Sequence, residues 1–192
     1  MIYHFYIELQ ETEPLVWRRV AVPRDYTFYQ LHLAIQGAFG WENYHLFSFS
    51  KKGQLDKLSY GIPDPLLDRE LMFIVKDAAK SMITEVFTKP RQSYIYVYDF
   101  GDGWHHKLVL ERIETATIER AYCAAGAGAC PPEDVGGIHG YREMVEVFKT
   151  AVHVEQASYI QWLGLAPGEK WDPEYFNERE AKKRMALLET AV

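Results

Sequence analysis

Between Tyr94 and Ile113 two β-rich runs flank the dipeptide Asp102-Gly103, and this feature limits the fold more than any other in the chain. Asp-Gly adopts the positive φ angles of a type I′ turn at low cost, so the two runs are expected to fold back on each other as an antiparallel hairpin. With Asp102 and Gly103 at the centre of the turn, Gly101 faces Trp104, Asp99 faces His106, Val97 faces Leu108 and Ile95 faces Leu110. These residues share one face, apolar except for one acid and one imidazole.

The rest of the chain extends this reading. Tyr3, Phe5, Ile7 and Leu9 alternate with His4, Tyr6, Glu8 and Gln10, the period of a half-buried strand, and Leu15–Val22 returns after turn residues as a second strand anchored by Trp17. Thr27 and Gln30 have the spacing of a capping box ahead of Phe28, Leu31, Ile35 and Phe39, a helix that Gly40 should stop. His45–Ser50 reads as extended, Gly61–Asp68 as loop, and a short helix is placed around Asp77–Val86. Tyr122–Gly140, with five glycines and two prolines, reads as one long aperiodic loop, long enough to imply function or mobility. Beyond it come an amphipathic helix through Tyr141, Met144, Val145 and Phe148, a second short helix at Tyr159–Leu163 and a start signal at Asp172-Pro173. A last helix is capped by Asn177 and carries Ala181, Met185 and Leu188. Strands dominate the first two thirds and helices the end. The expected fold is therefore α+β, a single domain over residues 1–192, with an antiparallel sheet of hairpins packed against one early helix and the C-terminal helices.

Composition sets the class. The chain has 192 residues, 48% apolar and 15% aromatic, enough for a sizeable core without a disulfide scaffold. Its formal charge of -6 opposes a domain that grips nucleic acid through its net field, and Lys182-Lys183-Arg184, the one tight basic cluster, fits a solvated helix face. The opening residues lack signal-peptide character and no apolar run has the length of a membrane span, so a cytoplasmic location without membrane contact is expected. Cys123 and Cys130 read as free thiols.

Two groups of residues could carry chemistry. Asp99 and His106, paired across the hairpin, form a carboxylate–imidazole dyad, which is either a general-base pair, half of a metal site or a structural hydrogen bond. Glu133 and Asp134 lie between Pro131-Pro132 and Gly136-Gly137, where they can offer oxygens to a hard cation or fix the loop through backbone amides. His45, after Trp41-Glu42-Asn43-Tyr44, and His139 could extend this to a mixed nitrogen–oxygen site. Other motifs fail on context. Asp99-Phe100-Gly101 lacks the glycine-rich loop and His-Arg-Asp of a kinase, and Gly126-x-Gly128 lacks the third glycine of a dinucleotide fingerprint.

Four separated motifs occur in order: Val16-Trp17-Arg18-Arg19; Leu31-His32 with Gly40-Trp41 and His45-Leu46; Tyr98-Asp99-Phe100-Gly101-Asp102-Gly103-Trp104 with His106; and Pro131-Pro132-Glu133-Asp134-Val135-Gly136-Gly137 with Gly140-Tyr141. Together they resemble the plasmid pRi Orf-three-like family, whose members are also labelled insertion-element passenger TnpR-like proteins. The resemblance runs from about Tyr3 to the C-terminal helices and implies a single mixed α+β domain. It marks Asp99, Asp102, Trp104, His106, Glu133 and Asp134 as motif positions without assigning them roles. The chain lacks the nucleophilic serine with supporting arginines that a serine recombinase needs, and His105 beside His106 is a departure.

Three functions are expected in decreasing order. The first is a non-catalytic binding or accessory module of mobile elements, taking a protein or peptide in a groove of Trp41, Tyr44, His45, the Asp99–His106 hairpin and the Pro131–Gly140 loop. The second is a metal-dependent hydrolase in which Asp99, His106 and Glu133 or Asp134 hold a divalent ion. The third is a DNA-binding accessory protein. Asp99, Asp102, Trp104, His106, Glu133, Asp134, Trp41 and His45 form the candidate site, with Asp99, His106 and Glu133 as the metal set. The second function requires three ligands to converge with one coordination position open.

Overall fold

The computed structural model describes residues 1–53, 56–166 and 168–189. Eight strands, β1 (Ile2–Leu9), β2 (Val16–Pro23), β3 (Phe47–Ser50), β4 (Leu58–Gly61), β5 (Ile74–Asp77), β6 (Ser93–Tyr98), β7 (Trp104–Glu114) and β8 (Tyr122–Ala127), form one sheet in the order β5-β4-β3-β6-β7-β1-β2-β8. Every neighbouring pair is antiparallel except β4–β5. Five helices accompany the sheet: α1 (Phe28–Phe39), α2 (Pro65–Leu71), α3 (Gly137–Lys149), α4 (Gln156–Trp162) and α5 (Glu178–Glu189). The architecture is α+β, as the order of elements in the sequence implies. Among the described residues no helix is long and apolar enough to cross a membrane.

The core follows the period-two pattern. Tyr3, Phe5, Ile7 and Leu9 of β1 are buried and stand opposite Val22, Val20, Arg18 and Val16 of β2. On the other side of β1, Phe5, Ile7 and Leu9 face Leu110, Leu108 and His106 of β7. Helix α1 lays Phe28, Leu31 and Ile35 into this core. Its start is the expected capping box, in which the Thr27 side chain accepts from the Gln30 N–H while the Gln30 side chain accepts from the Thr27 N–H, and its stop is Gly40 at φ 105°. Helix α5 crosses α1 so closely that a Cβ on Gly37 would lie 2.6 Å from the Met185 Cα. Asn177 caps α5 through the amides of Arg179 and Glu180.

Several expectations are corrected. The β6–β7 hairpin pairs Tyr98 with Trp104, Tyr96 with His106 and Tyr94 with Leu108, three positions away from the register centred on Asp102-Gly103. An odd slip turns β6 over, so Tyr94, Tyr96 and Tyr98 join the core side of β7 while Ile95 and Val97 take the opposite face. The connection is longer than two residues: Asp99 at φ 53° donates its N–H to the Leu46 carbonyl, and the Gly103 N–H returns to the Asp99 carbonyl at 2.7 Å. Tyrosines bury more area than Ile or Val, and the two innermost hydroxyls, of Tyr96 and Tyr98, have partners. Tyr96 meets His32 Nδ1 at 2.8 Å and Gln36 Nε2 at 3.0 Å, and Tyr98 meets Glu133 and the Tyr44 amide.

The long loop is shorter than expected, because its first six residues are β8, paired with β2. The stretch Gly61–Asp68 read as loop runs into the start of α2 at Pro65, and the helix placed around Asp77–Val86 is reduced to a 3-10 turn at Ile83–Glu85. Asp172-Pro173 starts a turn rather than a helix: Asp172 Oδ1 and its carbonyl take the amides of Glu174 and Tyr175.

Candidate functional site

The turn Asp99–Gly103, the loop around Glu133 and the segment between α1 and β3 meet at one point. Three devices hold them together. Trp41, buried against Phe39 and Tyr98, donates from Nε1 to the Pro131 carbonyl at 3.0 Å. Asp102 Oδ2 accepts the Gly136 N–H at 3.2 Å, tying turn to loop, and Gly137 at φ 66° passes so near that a Cβ there would sit 2.7 Å from the Asp102 carbonyl oxygen. Glu133 Oε1 accepts from both the Tyr98 hydroxyl and the Glu42 N–H, each at 2.9 Å.

These anchors aim four side chains at one spot. His45 Nε2 lies 3.2 Å from Asp134 Oδ1, 3.7 Å from Asp99 Oδ2 and 4.0 Å from Glu133 Oε2. One ligand atom each from His45, Asp99 and Asp134 falls within 4.8 Å of the others. Asp99 is oriented by its own turn, since Oδ1 accepts the Gly101 N–H at 2.9 Å and leaves Oδ2 for the cluster. His45 Nε2 is shielded from solvent yet has no well-formed hydrogen bond, an orphaned buried donor or acceptor of the kind a ligand would complete. Partial burial raises the Glu133 carboxyl above the usual carboxylate range, opposed by the Glu42 and Tyr98 hydrogen bonds. Burial and the negative Glu133 together push the Tyr98 hydroxyl upward, so it acts as a donor.

The residues expected at the site therefore separate. Asp99, Glu133, Asp134 and His45 converge, while Asp102 and Trp41 position the loop that carries two of them. Trp104 is core. His106 is not Asp99's partner: the register places it opposite Tyr96, fully buried, with its ring edge-on to Phe39 and Trp41 and Nδ1 3.1 Å from the Trp104 carbonyl. Burial lowers its pKa to about 3, leaving a neutral core imidazole outside the cluster. The residues whose spacing would suit a cation are His45, Asp99 and Asp134, with Glu133 beside them. His139 is exposed on α3 and takes no part. Sequence reasoning missed Tyr98 and Glu42. Tyr98 was legible in principle, since Tyr94, Tyr96 and Tyr98 form their own period-two stripe.

Polar chemistry here is flanked by exposed apolar groups. Tyr44, Leu46 and Phe100 are adjacent in sequence to His45 or Asp99 and are 69%, 54% and 48% exposed. The Tyr44 hydroxyl donates to the Glu42 carboxylate.

Comparison with known proteins agrees with the fold and its motifs. The chain is 34% identical over 165 residues to an uncharacterised protein, y4hQ, of Sinorhizobium fredii (strain NBRC 101917 / NGR234), covering 82% of this chain and 78% of the relative. It is also similar to the crystal structure of a protein of unknown function, MM3350, from Methanosarcina mazei Go1. That likeness has a TM-score of 0.76 and 34% identity, and covers 93% of this chain and 96% of the other. The family model described as "Plasmid pRiA4b ORF-3-like protein" matches residues 1–180, and the chain belongs to that family.

Proposed function

We propose that the chain is a cation-dependent binding module whose centre is the His45, Asp99, Asp134 cluster. The observation that carries this reading is the approach of one imidazole and two carboxylates to within 4.8 Å of one another, with a third carboxylate at 4.0 Å from the same nitrogen. One nitrogen and several oxygens suit a divalent ion of intermediate hardness, such as manganese, iron or zinc. The Asp134 side chain is 71% exposed, so the site opens outward and leaves coordination positions for an oxygen from outside. Tyr44, Leu46 and Phe100 would seat apolar groups beside that oxygen, an arrangement suited to a peptide or protein partner bearing a carboxylate. The family description adds a plasmid context, in which an accessory role is the natural form of such binding.

A second reading, metal-assisted hydrolysis, is favoured by one feature. Glu133, its proton affinity raised by burial, stands beside the cluster where it could move a proton to or from a bound water. DNA binding has no comparable support.

The test is elemental analysis of protein purified without chelator, with His45→Ala, Asp99→Asn and His106→Gln compared. One equivalent of a divalent metal in wild type and His106→Gln, lost in the other two, supports the centre. Metal absent from wild type even after dialysis against manganese or zinc overturns it. If metal is bound, chelator-sensitive turnover of ester, phosphodiester or peptide substrates selects the hydrolase, and its absence selects the binding module.

A further inference from the structure

The motif Val16-Trp17-Arg18-Arg19 plays no part in the acidic site, and the alternation of β2 sends its two arginines to opposite faces. Arg19 is exposed and forks onto Glu111. Arg18 is 2% exposed, on the inward face with Val16 and Val20. Its partners are four neutral carbonyls: Nε donates to Ala38, Nη1 to Trp17 and Ala127, and Nη2 to Gly128, at 2.7 to 3.0 Å. The Phe39 and Phe176 rings sandwich the guanidinium at 5.1 and 4.3 Å. A guanidinium has five N–H donors; among the described residues one on Nη2 has no hydrogen-bond partner, and no carboxylate lies within ion-pair distance. A buried cation satisfied as a donor but not as a charge is costly unless an anion joins it.

The space for that anion exists. Arg18 lines a cavity of about 230 Å³ beside a second cation, Arg184 of α5. Arg184 is held by its Nε donating to the Gly37 carbonyl at 3.2 Å, and its closest carboxylate is Glu180 at 3.9 Å. Glu180 also lines the cavity but is engaged by the Tyr175 hydroxyl and Asn177 Nδ2, so two guanidiniums face one occupied carboxylate. Trp171, Tyr175 and Phe176 supply an aromatic wall.

We propose that this cavity is a binding site for a small organic carboxylate with a flat apolar body, its oxygens toward Arg18 and Arg184 and its body against the aromatic wall. Arg18 has one N–H left to give, whereas the Nη groups of Arg184 can offer the fork that matches a carboxylate in geometry as well as charge, and stacking rings favour a planar body. The site is separate from the cation centre, and neither reading depends on the other.

The experiment titrates the metal-free full chain with benzoate, acetate, inorganic phosphate and benzylamine at constant ionic strength, following Tm and Trp fluorescence. Arg18→Ala breaks four carbonyl bonds and could unfold the strand, so the variants are Arg184→Ala and Glu180→Gln. A saturable rise in Tm with benzoate but not benzylamine is expected. Affinity should fall roughly tenfold in Arg184→Ala, the loss of one charge-assisted bond, and tighten in Glu180→Gln. Acetate should bind more weakly than benzoate. A phosphate response equal to benzoate's would overturn the aromatic-carboxylate assignment in favour of an inorganic oxyanion. No saturable response to any anion, or one unchanged in Arg184→Ala, would overturn the site itself.

Discussion

Replacing Tyr98 by Phe removes a single oxygen, but that oxygen joins three segments of the chain. The Tyr98 ring is fully buried on β6, and its hydroxyl donates to Glu133 Oε1 at 2.9 Å while accepting the Tyr44 N–H at 3.0 Å. A hydrogen bond to a charged partner contributes roughly 1.5–3 kcal/mol and a neutral one about 1 kcal/mol. Glu133 keeps its bond from the Glu42 N–H, and water can reach the exposed Tyr44 segment, so a net loss of about 2 kcal/mol is expected. For a chain of this size that lowers Tm by about 4–8 °C.

The effect should depend on pH. Burial already raises the folded Glu133 carboxyl above its unfolded value, so protonation favours the folded state and stability falls as pH rises through the interval between the two. The Tyr98 hydroxyl opposes that rise by favouring the carboxylate. Without it the interval widens, and Tyr98→Phe should be more destabilising at pH 7 than near pH 4, where the acid is largely protonated in both states. Urea unfolding of both proteins at the two pH values checks this. Equal losses at both, or a loss below about 0.5 kcal/mol, the range of an ordinary surface change, would refute the reasoning.

Two further outcomes follow from buried groups. His32 and His106 both have pKa values lowered to about 3 by burial, so each takes up a proton far more readily unfolded. Stability should therefore fall as pH drops from about 6.5, the unfolded value, toward 3, and His106→Gln should reduce the proton uptake on unfolding near pH 5 by about one. Denaturant unfolding across that range measures it. Gly37→Ala should destabilise by about 1–3 kcal/mol despite alanine's better helix propensity, because the new Cβ would meet the Met185 backbone at 2.6–2.8 Å and force α1 and α5 apart. Calorimetry showing an unchanged or higher Tm would contradict the close crossing.

What could be read from the chain depended on how local the signal was. Thr27, Gln30 and Gly40 mark α1 because a cap is written within a few residues of the helix it closes. The β1 stripe was legible for the same reason. The β6 register was not, because Asp102-Gly103 resembles a complete turn while the decision lies elsewhere: in the Leu46 carbonyl that takes the Asp99 amide, and in His32, Gln36 and Glu133, which satisfy tyrosine hydroxyls from distant segments. That slip joined Asp99 to the wrong histidine. Asp99, Glu133, Asp134 and His45 were identifiable as residues, yet their meeting depends on Trp41 reaching Pro131, 90 positions away. Arg18 lies between Val16 and Val20 on a strand of period two, and its inward place could have been read from that alternation alone.

The short run Cys130–Asp134 has two neighbours. Cys130, Pro131 and Pro132 line the arginine cavity, while Glu133 and Asp134 face His45. Two consecutive prolines stiffen the run, so a displacement at one end is passed to the other rather than absorbed. Sites sharing so rigid a partition are subject to reciprocity: if occupancy on one side changes affinity on the other by some factor, the reverse influence has the same factor. A cation titration repeated with and without benzoate would thus measure, in one number and from either direction, how strongly the two halves of this loop communicate.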